Sequence, residues 1–302
     1  MALGTAVLET LRDLALRRVL RQSGWSTLRV IGLSSALAAL LLAVPLLLAE
    51  SQPLDGWAFL AALAVGGSLN ALAFWGYGRA IALEDLSLVL PLINLSPLVL
   101  LLAGWWVLGE RPSPSAVAGV GLLVLGALLL GRSRRGGPSP GGMAGLGQLW
   151  ASPGCRWMLL VAVIWGVAAT MDKLGVQAGG SVLWVLSLQL VIGGSLLGLS
   201  LPGGQASGPA AAKAGGQAAT CWGRVLPFLL VAALAGAVGT VWQMEAIRST
   251  AVVHVIAIKR LSTLFGSGIG VVALGEAEGR RRLLAAAVMV IGAATVLWSA
   301  LP

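Results

Sequence analysis

Charged residues are scarce in this chain, at 10% of its 302 residues, where a soluble domain carries about 25%. A chain so poor in charge cannot cover itself with a surface that faces water. One histidine and two cysteines leave no basis for a histidine metal cluster or a disulfide framework. The motifs HExxH, GxSxG and GxxxxGK[ST] are absent. We therefore predict neither a zinc metalloprotease nor a serine hydrolase, and we predict that this chain does not use ATP hydrolysis to power transport. We expect no cofactor and no metal site.

Apolar residues make up 58% of the chain and lie in long, continuous runs. A membrane-spanning helix needs about 20 apolar residues, so roughly nine or ten spans fit. The runs do not alternate as the strands of a membrane barrel would. The sequence therefore predicts an all-α integral membrane protein. We place its spans near 28–49, 57–79, 87–108, 114–131, 157–176, 181–201, 225–246, 251–274 and 283–301.

The net charge of +9 reflects basic residues between the apolar runs, which is the pattern of membrane topology rather than of nucleic-acid binding. Most of these arginines fall on one predicted side, beginning with the segment 12–29. The positive-inside rule then predicts a cytoplasmic 12–29 segment and a C-terminus outside. We expect a multi-pass protein of the plasma membrane, which is the inner membrane in a bacterium.

The chain contains an internal sequence repeat. Leu108-Gly109-Glu110 closes one apolar run, and Leu274-Gly275-Glu276 closes another 166 positions later. The same offset aligns Ser96 with Ser262 and Gly126 with Gly292. We therefore divide the chain into a first repeat at 1–131, a linker at 132–156 and a second repeat at 157–302. Membrane transporters are commonly built from two such repeats, with the substrate site between them.

The N-terminal segment departs from this pattern, because residues 1–22 are helix-like but too short and too charged to span. Thr10 to Leu14 aligns with Thr170 to Leu174 at an offset of 160, so the first helix of the first repeat looks shortened. Two interpretations stay open at this point. The segment is either a truncated first span, or a basic helix that lies in the membrane interface.

Each repeat contains an apolar run, a Gly-Glu pair, a short turn and a glycine-containing last helix. This repeated pattern resembles the EamA family of the drug/metabolite transporter superfamily. The stretch Ala257 to Ser262 and the pair Trp165-Gly166 are also similar to that family. The resemblance implies two five-helix repeats of inverted orientation that move small metabolites or drugs by alternating access. Relatives are drawn with both ends in the cytoplasm, whereas the charge count here favours an outside C-terminus.

Lys259 and Arg260 form the most informative polar pair. The predicted span 251–274 places both within about 5 Å of the membrane midplane at the helical rise. A cation at that depth costs about 2.5–3.5 kcal/mol to insert, and such residues normally face a cavity or a partner. We interpret the pair as the anchor of an anionic substrate, and it resembles the Lys-Arg of the related sugar-phosphate and nucleotide-sugar translocators. A salt bridge to Asp172 or Glu245 is the alternative.

Asn94 is the repeat partner of Arg260 and lies between Pro91 and Pro97. Each proline removes a backbone donor, so the sequence predicts a broken or bent helix of the kind found at midplane binding sites. A packing kink, with Asn94 bonded to a neighbouring helix, is the alternative.

Further candidates lie in the spans before each interruption. Asn70 and Trp75 in the first repeat, with Trp242 and Gln243 in the second, could line the substrate cavity; membership of the interfacial aromatic belt is the alternative. Asp172 or Glu245 could carry a proton in coupled transport, or pair with a neighbouring cation.

The sequence thus predicts a secondary active transporter, an exporter or exchanger of a small polar or anionic metabolite. A non-transporting membrane accessory protein is the alternative. The expected partners are a small-molecule substrate and the lipid bilayer, with no nucleic acid. The oligomeric state is open, and a homodimer is one outcome.

Overall fold

A computed structural model describes residues 1–48, 53–83, 92–131, 152–200, 218–260, 262 and 279–299. Ten helices and no strands are present within these ranges. The helices are α1 (Ala2–Ser23), α2 (Thr27–Leu48), α3 (Gly56–Leu83), α4 (Ser96–Leu108), α5 (Pro114–Gly131), α6 (Pro153–Gly179), α7 (Ser181–Leu199), α8 (Ala218–Ser249), α9 (Val252–Lys259) and α10 (Gly279–Trp298).

The helix positions confirm the all-α membrane fold. Five helical segments are long and apolar enough to cross a membrane, namely Thr27–Leu48, Gly56–Ala80, Pro153–Gly179, Ser181–Leu199 and Trp222–Ser249. Shorter apolar helices lie at Ser96–Leu108, Pro114–Gly126 and Ala287–Val296. The predicted spans 87–108 and 251–274 are described only in part, and Glu276 lies outside the described residues.

The chain folds into two compact units. Unit 1 contains Met1–Ala71 and Met171–Arg248, and unit 2 contains Leu72–Thr170 and Ser249–Pro302. Each unit therefore draws on both predicted repeats, and the long helices α3 and α6 contribute residues to both units.

In unit 1, α1 packs lengthwise against α8. A Cβ on Gly4 would lie 2.6 Å from the Trp242 ring, and one on Gly239 would lie 3.1 Å from Leu8. Further along, Val19 is fully buried in a cluster with Leu229. Residue numbers rise along α1 as they fall along α8, so the two helices are antiparallel. Because α8 is itself long and apolar enough to cross a membrane, this packing places α1 beside a spanning helix.

The same unit contains a close crossing of α2 with α7. A Cβ on Gly193 would lie 3.0 Å from the backbone nitrogen of Ala36, and one on Gly32 would lie 3.0 Å from Leu197. Helices in lipid gain little from the hydrophobic effect and associate through such close backbone packing.

In unit 2, α5 crosses α10 even more tightly. A Cβ on Gly119 would lie 2.8 Å from the carbonyl oxygen of Gly292, and one on Gly292 would lie 2.7 Å from the Gly119 oxygen. These two helices are the last of their repeats. Gly119 and Gly292 therefore allow the two helices to pack closely.

Candidate functional site

The central feature of unit 2 is the pairing of α4 with α9, which are parts of repeat-equivalent predicted spans. Before α4 begins, Asn94 and Leu95 form a turn in which Leu95 N–H donates to the Leu92 carbonyl at 3.1 Å. Helix α4 then starts with Pro97 in its first turn. The interruption predicted from the two flanking prolines is present, and Asn94 is buried within it.

The second interruption lies at the repeat-equivalent position. Helix α9 ends at Lys259, and Arg260 is its C-cap. The Arg260 guanidinium Nη2 donates to Ser96 Oγ at 2.6 Å, so the end of α9 meets the start of α4. Ser96 is buried, and Lys259 and Arg260 are half-buried. The predicted cation therefore lies where α9 ends and α4 begins.

Helix α6 closes one side of this interruption. A Cβ on Gly166 would lie 3.0 Å from the Ser96 carbonyl oxygen and 2.7 Å from Val99, which explains the glycine at that position. The neighbouring Trp165 packs edge-on against Phe74, with ring centroids 5.3 Å apart, and lies 6.1 Å from the Tyr77 ring. An aromatic cluster thus stands beside the Ser96 backbone.

The Gly-Glu motif lies at the opposite end of the α4 and α9 pair. Gly109 ends α4 in the left-handed conformation, at φ 67°. The Glu110 N–H donates a hydrogen bond to the Gly104 carbonyl at 3.1 Å. Glycine is the preferred residue at a helix C-terminus that adopts this left-handed conformation. The Glu110 carboxylate then accepts the Val252 N–H, with nitrogen-to-oxygen distances of 3.2 and 3.3 Å.

A cavity of about 220 Å³ lies next to Glu110. Its lining includes Trp105, Arg111, His254 and Ser299. The His254 ring nitrogen Nε2 lies 3.2 Å from Ser299 Oγ, which joins α9 to the end of α10.

Unit 1 contains the two carboxylates predicted to carry a proton. Asp172 is buried and its Oδ1 accepts the Trp184 indole N–H at 3.2 Å. Glu245 Oε2 accepts the Ser181 hydroxyl at 2.6 Å. Ser181 and Trp184 are three residues apart at the start of α7, so their side chains share one helix face. Both carboxylates thus contact the first turn of α7, whose N-terminal dipole favours negative charge.

The sequence profile of the EamA-like transporter family matches residues 1–132 and 152–298. The chain belongs to the EamA-like transporter family. The two matched segments cover both predicted repeats, so the two-repeat architecture is established together with a multi-pass, membrane-embedded location. Members of this membrane transporter family are generally not enzymes.

Solved structures support the same fold for this EamA-like transporter. One, described only as the crystal structure of a protein, has 19% sequence identity and a TM-score of 0.70. That match covers 99% of this chain and 96% of the other, and at such low identity it shows the fold alone. A search of curated proteins found no significant match.

The remaining predicted site residues of this EamA-like transporter lie partly in unit 1 and partly in unit 2. Asn70 in unit 1 is buried and its amide nitrogen donates to the Gly66 carbonyl, one turn earlier, at 2.9 Å. Gln243 is also buried in unit 1, whereas Trp242 is 42% exposed and faces Gly4.

Trp75 belongs to unit 2 and has two described neighbours. Its ring packs edge-to-face on Trp157, with centroids 5.1 Å apart, and the Arg79 guanidinium lies 5.3 Å from its ring centroid. A tryptophan beside an arginine near the end of a span is typical of the membrane interface. Cavity lining by these aromatic and amide side chains stays a prediction.

Proposed function

We propose that this EamA-like transporter is a secondary active transporter that carries a small polar or anionic metabolite across the plasma membrane. Export or exchange by alternating access is the proposed mode. The observation that carries the proposal is the Arg260 guanidinium at the paired helix interruption, where it bonds Ser96.

The chemistry of that position favours an anionic group on the substrate. A guanidinium presents several N–H donors in a planar fork that matches a carboxylate or phosphate. It can therefore hold Ser96 and a substrate oxygen at the same time. Lys259, as the last residue of α9, adds a second positive charge, and we assign Asn94 to the polar wall of the site.

Flux from a mixture of solutes tests this function, whichever metabolite is the substrate. Full-length protein in proteoliposomes would be loaded with a uniformly ¹³C-labelled cell extract, and the efflux of each labelled species followed by mass spectrometry. We expect selective efflux of one class of small anionic or polar solutes. Equal efflux from protein-free liposomes would contradict transport and favour an accessory role.

We assign proton coupling to the buried carboxylate, Asp172, rather than to Glu245. The Glu245 side chain is 43% exposed and lies 3.9 Å from the Arg248 guanidinium, so it is partly open to solvent and has a cation beside it. Asp172 is buried and hydrogen-bonded to an indole, so gaining and losing a proton there changes the charge inside the bundle.

Asp172→Asn is therefore expected to lower net flux driven by an imposed pH gradient about tenfold, because the amide cannot release a proton. Counterflow exchange of the same solute without a gradient should persist. Glu245→Gln is the matched control and should stay within about threefold of wild type in both assays. Gradient-driven flux that survives in Asp172→Asn would remove the coupling role.

A further inference from the structure

Helix α9 is held to α4 and its following turn at both ends. At its first residue, Val252 N–H donates to the Glu110 carboxylate. At its C-cap, Arg260 donates to Ser96. The helix has eight residues and is about 12 Å long, so it is short enough to move as one piece. Both ends of α9 are therefore tied to the segment 96–110.

Glu110 supplies something that α9 itself lacks. The first N–H groups of a helix have no partner within the helix, and Ala251 at the N-cap makes no side-chain capping bond. The Glu110 carboxylate, 142 positions earlier in the sequence, accepts a hydrogen bond from one of these groups, the Val252 N–H. An ionised acceptor also interacts favourably with the positive end of the helix dipole.

The backbone of Glu110 is itself fixed. The left-handed Gly109 and the bond from Glu110 N–H to the Gly104 carbonyl set where the side chain leaves α4. Gly109 and Glu110 thus act together. The glycine ends one helix, and the glutamate places the start of another.

We propose that Glu110 is a positioning residue for Arg260. By capping α9, it keeps the guanidinium in register with Ser96, so the Gly-Glu sequence of the first repeat sets the position of a cation in the second. This inference rests on the proposed function in one respect, which is that Arg260 binds the substrate.

The test measures the chemical environment of Arg260 directly and needs no substrate. Purified full-length protein would be treated with phenylglyoxal, which modifies arginine, and the rate at Arg260 would be read by peptide mass spectrometry. Arg29 and Arg79 serve as internal references. Glu110→Ala should speed modification of Arg260 about tenfold, since a hydrogen bond to a charged group is lost, while both reference rates stay unchanged.

Two further variants separate positioning from general damage. Glu110→Gln keeps an acceptor oxygen and should remain within about threefold of wild type. Arg111→Gln changes the charge of the adjacent exposed residue and should have no effect on Arg260. An unchanged Arg260 rate in Glu110→Ala would overturn the proposal.

If Glu110→Ala fails to fold, Glu110→Asp replaces it as the test variant. The aspartate side chain is one methylene shorter than glutamate, too short to reach the Val252 N–H. Faster modification of Arg260 in Glu110→Asp, with Glu110→Gln at the wild-type rate, supports positioning, whereas equal rates in these two variants overturn it. The outcome is independent of transport: absence of flux by the wild type would remove the proposed function without altering these rates.

Discussion

Arg260→Ala is expected to lower solute flux in proteoliposomes about a hundredfold, because an anionic substrate would lose a charge-assisted hydrogen bond worth about 1.5–3 kcal/mol. The guanidinium bonds Ser96 where α9 ends and α4 begins. Without it, an anionic substrate loses its cationic anchor, and the Ser96 hydroxyl loses its described donor. Initial efflux from the labelled-extract assay gives the measurement.

Three companion variants separate charge from geometry at this position. Arg260→Lys keeps the charge but loses the planar fork, so an intermediate flux is expected. Lys259→Ala should lower flux to a similar extent as Arg260→Ala, and Asn94→Leu should reduce it less severely. Each variant is compared at equal amounts of monodisperse protein, which excludes failed insertion. Flux at the wild-type rate in both alanine variants would show that this pair does not anchor the substrate.

The helix interruption was predictable because its cause is local. Pro91 and Pro97 flank Asn94 in sequence, and together they remove two backbone donors from one short stretch, whereas the single prolines Pro45 and Pro227 lie within continuous helices. The repeat offset then predicted that Arg260 occupies the equivalent position in the second half. Both inferences use short-range chemistry and an internal alignment, which a single sequence contains.

The partners of these residues were not predictable in the same way. An alignment between repeats pairs equivalent positions, but it does not say which residues touch. Ser96 was aligned with Ser262, yet its contact with Arg260 depends on antiparallel packing of α4 on α9. Likewise, the Gly-Glu motif predicted a helix end, whereas the reach of Glu110 to Val252 required the fold.

Trp184 illustrates a signal that was present but ambiguous. It lies within an apolar run and suggests simple burial, which the structure confirms at 0% exposure. A buried indole N–H usually needs an acceptor, and the preceding helix offers Asp172 as the carboxylate that accepts it. The sequence contained both residues but gave no reason to pair them over other donors and acceptors.

Gly119→Leu is expected to have the largest effect on stability. The added Cβ would lie 2.7 Å from Val296 Cγ2 and 2.8 Å from the Gly292 carbonyl oxygen. Backbone atoms of α10 cannot yield as a flexible side chain can, so we expect a loss of about 3 kcal/mol. Close packing also matters more in lipid, where burial of apolar surface between helices gives little driving force.

Gly121→Leu provides the matched control on the same helix, because a Cβ there meets nothing within 4 Å. Both variants add the same side chain at glycines two positions apart, so helix propensity and hydrophobicity cancel in the comparison. Thermal unfolding in detergent, followed by size-exclusion chromatography with fluorescence detection, should show a much lower midpoint for Gly119→Leu alone. Equal midpoints would mean that α5 and α10 separate without cost, and that their glycine crossing does not hold unit 2 together.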